Sequence, residues 1–196
     1  MSPPAPTYDY TIEDTITYKG STWHVIKNSP SNENYVTLMR ETVLSNAELG
    51  QYADSTYDTA LFDKTSPYSN DYATSNVKAA VEAYATANNM MSDLAEVDGY
   101  KIRLITQDEL IDNFAFIDKG GYYQKTSTTP SFVYSNFGEK QNNVGGYWTM
   151  TPDANNASQV WWFVSSGGRL YTYIVDSGIS GVRPVINLLK SAISTQ

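Results

Sequence analysis

The amino-acid sequence predicts an α+β fold, and three patterns support that prediction. Apolar and polar residues alternate over the first 40 residues, the middle of the chain has the spacing of amphipathic helices, and short β-type segments separated by turn residues fill the last third. The length of 196 residues is typical of one domain. We expect residues 1–9, which contain three prolines, to form a flexible arm ahead of a domain over residues 10–196.

Composition narrows the classes of function. The net charge of -8 has the wrong sign for binding the phosphate backbone of nucleic acid. The chain has no cysteine and a single histidine, His24, which excludes thiolate sites and leaves few groups for acid–base or transition-metal chemistry. No segment approaches the ~20 apolar residues that cross a bilayer, and no secretory leader pattern is present. We therefore expect no cofactor, no metal site, no nucleic-acid partner and no direct insertion into a membrane.

β-Structure is expected at the N-terminal end. Residues 10–28 alternate around a turn at Lys19 and Gly20, and residues 35–39 form a further apolar segment after a turn rich in serine, proline and asparagine. We interpret these segments as a hairpin or meander. His24 lies beside Trp23 in the alternating pattern, and we expect it to be structural rather than catalytic.

Two helices are expected in the middle of the chain. The first begins after Ser75 or Asn76, either of which suits an N-cap. Its apolar face consists of Val77, Ala80, Val81, Tyr84, Ala85 and Ala87. A short strand over residues 100–104 follows. Thr106 and Glu109 then have the spacing of a capping box, which predicts a second helix over residues 107–116.

Three strands are expected towards the C-terminus. They span residues 146–151, 159–165 and 169–175, with turns at Asn155-Asn156 and Gly167-Gly168. Alternation in the second strand puts Val160, Trp162 and Val164 on one face, and Trp161 and Phe163 on the other. The pattern is compatible with an outward ladder of tyrosine and tryptophan beside an aliphatic inner face. It leaves open which of Trp161 and Trp162 points outward.

Aromatic residues are enriched in this region, and charges are depleted. The chain contains 16 tyrosines and 4 tryptophans, and residues 141–182 hold three of the tryptophans but only three charged residues, Asp153, Arg169 and Asp176. Large rings with few rotamers carry much of the binding energy at recognition surfaces. We therefore expect a recognition surface here, with the core of a small sheet as the alternative for any individual ring.

The order of several short motifs resembles a known family. The motifs are residues 23–26 (WHVI), 71–77 (DYATSNV), 103–110 (RLITQDEL), 147–152 (YWTMTP), 160–170 and 181–188 (GVRPVINL). Over about residues 18–189, the sequence resembles the C-type lectin-like variable proteins diversified by diversity-generating retroelements, and related lectin-fold surface-protein domains. The resemblance implies two helices flanking small twisted antiparallel β-sheets, paired N- and C-terminal strands, and long irregular loops.

The same resemblance implies a variable, ligand-binding region over about residues 148–182 and a protein or glycan receptor as partner. The expected ligand-contacting residues are Asn155, Asn156, Trp162, Ser165, Tyr171, Tyr173, Asp176, Ser177 and Ile179. Trp148, Gly181, Arg183 and Pro184 are expected to be structural, with Arg183 as a multidentate donor to carbonyls or a carboxylate. The motifs of calcium-dependent sugar-binding lectins are absent, so binding is expected to be independent of calcium.

The leading hypothesis is therefore a non-enzymatic recognition protein, associated with a virion or displayed on a surface through a partner. The alternative is a structural or assembly module of a surface or virion protein that uses the same face for a fixed subunit contact. A third hypothesis, a carboxylate-based hydrolase, would need a deep pocket with paired acids. No spacing selects such a pair from the 21 carboxylates.

Overall fold

Two β-sheets carry the fold, which a computed structural model describes over residues 8–134, 144–164 and 167–193. The strands and helices, in chain order, are β1 (Thr15–Tyr18), β2 (Ser21–Val25), β3 (Tyr35–Arg40), α1 (Asn46–Leu49), α2 (Asn76–Ala87), β4 (Ile102–Arg103), α3 (Gln107–Asn113), β5 (Phe116–Asp118), β6 (Tyr123–Lys125), α4 (Ser131–Tyr134), β7 (Gly146–Pro152), β8 (Gln159–Val164), β9 (Arg169–Ile174), β10 (Ser180–Gly181), β11 (Val185–Leu189) and α5 (Lys190–Ile193). Short 3-10 turns lie at Gly50–Tyr52 and Tyr72–Thr74. The fold class is α+β, as predicted.

The first sheet has the strand order β1-β2-β3-β11-β4, and all of its pairs are antiparallel. The C-terminal strand β11 lies between β3 and β4, and Ile186 pairs with Leu38 on one side and with Ile102 on the other. N- and C-terminal segments therefore share one sheet. The expected hairpin turn between β1 and β2 is confirmed, because Lys19 and Gly20 have the positive φ values, 50° and 72°, of a two-residue hairpin turn.

The second sheet has the strand order β10-β7-β8-β9-β6-β5. Strands β7, β8 and β9 form the expected antiparallel meander, and each ends within a residue of its predicted bound. The short strand β10 pairs in parallel with β7. Gly146 is required in β7, because a Cβ atom at this position would overlap the backbone of Phe163 in β8.

Helix α2 begins as predicted, with the Ser75 side chain accepting a hydrogen bond from the Lys78 backbone N–H at 3.1 Å. Its buried face consists of Val77, Ala80, Val81, Tyr84 and Ala85. Ala87 is a correction, because it is the last residue of the helix and is exposed. The helix cannot continue through Asn89, where φ is positive at 52°.

Helix α3 begins with the predicted capping box of Thr106 and Glu109 but ends three residues early, at Asn113. The chain turns at Ala115, which has a φ of 52°, and then enters β5. The last third was expected to be strand or loop, yet it also contains the single-turn helices α4 and α5. None of the helices in the described ranges has the length and hydropathy needed to cross a lipid bilayer.

Hydrophobic residues cover both faces of the second sheet. Val160, Trp162 and Val164 belong to a cluster that also includes the apolar face of α2, whereas Phe163 belongs to a second cluster, which Trp161 borders. The predicted alternation of β8 is therefore confirmed. The expected outward ladder is only partly formed, because large side chains from other segments pack on each face of this central strand.

Two helices begin with the same arrangement of glutamate and arginine. At α3, the Glu109 carboxylate accepts hydrogen bonds from the Thr106 backbone N–H at 2.9 Å and from Arg103 Nη1 at 2.7 Å. Helix α1 repeats this arrangement with Ser45, Glu48 and Arg40. Burial acts to raise the pKa of Glu109, but the hydrogen bonds and positive charge of Arg103 outweigh it, so the pKa lies below its ordinary value.

We expect Glu109→Gln to lower the free energy of unfolding near neutral pH by about 1.5–3 kcal/mol, the range for hydrogen bonds to charged groups. Because the folded-state pKa is lowered, this stabilisation is present above the unfolded value of 4.5 and is lost as the pH falls through the folded value. Denaturant unfolding over a series of pH values should show the gap between wild type and variant closing on acidification. Asp108→Asn, at an exposed position in the same helical turn, is the control. A gap of constant size at every pH would contradict the prediction.

Candidate functional site

The candidate site is built on β9, whose tyrosines pack against a tryptophan. Tyr171 pairs with Trp162 across β8 and β9, and Tyr173 pairs with Val160. The Tyr173 ring stacks on the Trp162 indole at a centroid distance of 4.8 Å, and the Tyr171 ring meets the same indole edge-on at 5.7 Å. Both tyrosines are half-buried, so each ring is held by the protein and keeps part of its surface open to solvent.

Trp162 itself is a correction to the expected set of ligand contacts. Its side chain is only 2% exposed, because β8 is a central strand and the indole lies between Trp148 of β7 and the tyrosines of β9. Trp162 therefore supports the tyrosines and offers almost no surface to a ligand. Trp161 is the more exposed of the adjacent tryptophans, and it lies on the opposite face beside Tyr123.

An irregular segment, residues 54–70, packs over the sheet beneath these rings. Trp148 is completely buried, and its Nε1 atom donates a hydrogen bond to the Ala60 carbonyl at 2.8 Å. The Phe62 ring packs edge-on against Trp148, and the Phe62 backbone N–H donates to the Val175 carbonyl at 2.9 Å. The segment therefore fixes the C-terminal end of β9 and the aromatic layer below it.

A cleft of about 310 Å³ opens beside Tyr171, and it is lined by Gly121, Tyr122, Arg169 and Tyr171. Strand β6 pairs with β9, with Tyr123 opposite Leu170, and this register brings Tyr122 next to Tyr171. The Arg169 guanidinium lies over the Tyr122 ring at 5.5 Å from its centroid. We refer to Tyr122, Tyr171 and Tyr173 as the tyrosine face, and to the space beside Arg169 as the arginine cleft.

The remaining expected contacts cluster at the end of the second sheet where β9 finishes. Asn155 and Asn156 lie exposed in the β7–β8 turn, which the Asn70 side chain holds by donating to the carbonyls of Asp153, Asn156 and Gln159 at 2.9–3.1 Å. This turn lies next to the chain that leaves β9, because the Val175 N–H donates to the Ser158 carbonyl at 3.1 Å. The structure therefore brings the asparagine turn close to the loop that follows β9.

The loop after β9 contains both exposed and buried members of the expected set. Asp176 is exposed, and Ile179 is 41% exposed. Ser177 is a correction, because it is only 9% exposed and its N–H donates back to the Ile174 carbonyl, as the chain turns inward. Ser165, the remaining expected contact, lies outside the described residues.

Tyr122 and Arg169 are site residues that the sequence argument did not assign to the ligand. Their proximity depends on the pairing of β6 with β9, and no local pattern in the sequence indicates that pairing. One signal was available for Arg169, which is the only basic residue within residues 141–182. A lone cation in a charge-poor, aromatic-rich region is a candidate for binding a ligand.

The side chains at this site are tyrosines, one arginine, asparagine amides and one carboxylate. His24 lies in β2 of the first sheet, where its ring stacks on Phe132 of α4, and burial together with the charge of Arg183 lowers its pKa. Among the residues that the structure describes, no cluster of three or more histidine, aspartate or glutamate side chains has an arrangement that would hold a metal ion.

A smaller cleft, of about 240 Å³, lies at the start of α3. Its lining consists of Asp98, Tyr100, Arg103, Thr106, Glu109 and Met150. Two of the three charged residues in its described lining, Arg103 and Glu109, form the ion pair described above. This cleft is therefore formed largely by the residues that cap the start of α3.

The tyrosine face, the arginine cleft and the two adjacent loops are thus the best-defined candidate site in the described parts of the chain. It combines half-buried aromatic rings, one arginine and exposed amide and carboxylate side chains. Comparison of the chain with models of protein families, with curated proteins and with solved structures gave no match.

Proposed function

We propose that this protein is a recognition protein that binds a protein or glycan receptor through the tyrosine face and the loops beside it. The observation that carries the proposal is the mounting of Tyr171 and Tyr173 on the buried Trp162 indole. Rings held in this way lose little conformational entropy when a partner binds, which favours affinity. Exposed Asn155, Asn156 and Asp176 add polar groups at one end of the same sheet.

The proposal includes a C-type lectin-like architecture of the kind found in retroelement-diversified variable proteins. Three features support it: the C-terminal β11 lies next to N-terminal β3, two longer helices accompany the sheets, and irregular loops surround the proposed region. Within residues 148–182, exposure follows the expected division of roles in part. Asn155, Asn156, Asp176 and Ile179 are exposed, and Trp148 and Gly181 are buried, but the expected contacts Trp162 and Ser177 are buried as well.

We expect Tyr171→Ala to abolish or strongly weaken binding, because it removes the ring that lines the arginine cleft and packs on Trp162. The measurement is binding of purified protein to arrays of immobilised neutral and acidic oligosaccharides and of peptides. The matched control is Tyr8→Ala. Tyr8 is 60% exposed and lies outside the site, where its backbone carbonyl accepts a hydrogen bond from Lys190. Thermal unfolding should show that both variants are folded at the assay temperature.

Two results would overturn the recognition proposal. One is a wild-type signal that Tyr171→Ala leaves unchanged. The other is a folded wild-type protein that binds no probe on either array. If the face is instead buried by assembly with other subunits, the wild-type protein would bind no probe and would self-associate.

An assembly role for the same face has one observation in its favour. Ile174 and Ile179 are 45% and 41% exposed at the edge of the proposed site, and apolar residues of this size favour burial against a neighbouring subunit. Sedimentation velocity over a range of concentrations separates the two roles. A monomer at high concentration supports a free recognition surface, whereas an oligomer disrupted by Ile174→Ser supports assembly.

A further inference from the structure

We propose that the arginine cleft binds a sugar ring that carries a carboxylate, with Arg169 pairing with the carboxylate and the tyrosine face contacting the ring. This inference rests on the proposed recognition function and names the class of ligand. It follows from the state of Arg169, the shape of the cleft and the pairing of the strands around it.

Arg169 differs from the other arginines in having no acceptor within the described residues. The chain has four arginines. Arg40 pairs with Glu48, Arg103 pairs with Glu109, and Arg183 donates to the carbonyls of residues 40 and 41. Arg169 is exposed, and its guanidinium group lies over the Tyr122 ring. In a protein of net charge -8, an arginine that is left without a carboxylate is available for an anionic ligand.

The guanidinium is also held in a defined place. The Gln124 side chain donates to the Gly167 carbonyl at 2.6 Å and so fixes the backbone just before Arg169. Packing over the Tyr122 ring then orients the planar group at the wall of the cleft. The nearby Lys125 ammonium is turned to another ring, that of Tyr134, at 4.0 Å. A carboxylate entering the cleft would therefore meet Arg169, which can bind it through two parallel hydrogen bonds.

The shape and lining of the cleft favour a sugar ring. Its volume of about 310 Å³ is at the small end of the range for ligand clefts, roughly 300–1,000 Å³. Tyr122 and Tyr171 supply aromatic surface, against which the C–H groups of a pyranose ring pack well, while their hydroxyls suit sugar hydroxyls. None of the described residues that line the cleft carries a carboxylate, so an anionic sugar meets no repulsion from them.

The strand pairing disfavours an acidic peptide as the ligand. Extended peptides commonly bind by adding a strand to a free sheet edge. Strand β6 lies between β5 and β9, and Arg169 and Leu170 of β9 pair with β6 on one side and with β8 on the other, so the backbone at Arg169 has no free edge. A compact anionic ring needs no such edge.

The test uses the full chain and oligosaccharides that end in glucuronate or in N-acetylneuraminate, with glucose-ended oligosaccharides of equal length as neutral probes. We expect the acidic probes to bind, and Arg169→Gln to weaken their binding by about tenfold or more, as expected for loss of a charge-assisted contact. Lys27→Gln removes the same charge at an exposed position in the turn after β2 and should leave binding unchanged. Comparing the two acidic ends identifies which carboxylated sugar is preferred.

Several outcomes would overturn the inference. These are equal binding of acidic probes by wild type and Arg169→Gln, equal losses in Arg169→Gln and Lys27→Gln, tighter binding of aspartate-containing peptides, and no binding of any saccharide. Such results are distinguishable from failure of the proposed function. If another probe binds wild type and is lost in Tyr171→Ala, recognition through the tyrosine face still stands.

Discussion

Replacing Trp148 by alanine is expected to lower the free energy of unfolding by about 3–5 kcal/mol, the range for large aromatic truncations in protein cores. The ring is completely buried and packs against Phe62 and Trp162, with ring centroids 5.8 Å and 6.1 Å away. Alanine would leave a cavity between these rings. It would also leave the Ala60 carbonyl without the Nε1 donor that ties residues 54–70 to the sheet.

Two control variants separate the contributions of the Trp148 ring and its N–H group. Trp148→Phe keeps an aromatic ring but removes the donor to the Ala60 carbonyl. We expect the free energy of unfolding to fall by about 1 kcal/mol for the lost hydrogen bond, and by a further amount for the reduced packing. Trp161→Ala removes a half-buried tryptophan from the neighbouring strand β8 and should cost less than Trp148→Ala. Chemical denaturation measures all three variants. Equal losses for Trp148→Ala and Trp161→Ala would show that Trp148 is not the core residue described here.

Replacing Arg183 by methionine is expected to cost about 3 kcal/mol, although methionine fills much of the same space. Arg183 is completely buried, and its Nε and Nη2 atoms donate to the carbonyls of Arg40 and Glu41 at 2.7 Å and 2.8 Å. The multidentate role predicted from the sequence is confirmed by these two hydrogen bonds. Methionine provides no donor, so two carbonyls near the end of β3 would lose their partners, at about 1–3 kcal/mol for each one left buried.

Arg183→Lys tests whether geometry or charge is responsible. Lysine keeps a positive charge but lacks the planar fork that reaches both carbonyls, so we expect it to be destabilised as well. Unfolding curves in denaturant report the losses, with Arg169→Lys as a control at the exposed arginine of β9. Wild-type stability in Arg183→Lys would mean that the charge alone is sufficient, against our expectation.

The parts of the fold that were predictable are those set by neighbours close in the chain. Thr106 was predictable as an N-cap, and Ser75 was one of two candidates with Asn76, because their hydrogen-bond partners lie three residues ahead. The alternation within β8 is a property of six consecutive residues, so the faces of Trp161 and Trp162 were separated correctly. The turn at Lys19 and Gly20 was visible for the same local reason.

The candidate site was predictable only in outline. Tyr171, Tyr173 and the exposed residues of the neighbouring loops lie where a surface would place them, but Trp162 and Ser177 are buried. Alternation predicts which side chains share a face of the strand, but it does not predict which other segments cover that face. In this protein, residues 54–70 provide the cover, and their irregular sequence shows neither helical nor strand periodicity.

The sequence by itself determined the α+β class, the positions of the main helices and C-terminal strands, and the concentration of aromatic residues that suggested recognition. Tertiary structure alone decided which rings are buried, and it placed Arg169 against Tyr122 and Tyr171. The physical reason is the separation along the chain of the residues that make each contact. Caps and alternation depend on contacts within a few residues, whereas the pairing of β6 with β9 and the packing over Trp148 depend on contacts between distant parts of the chain.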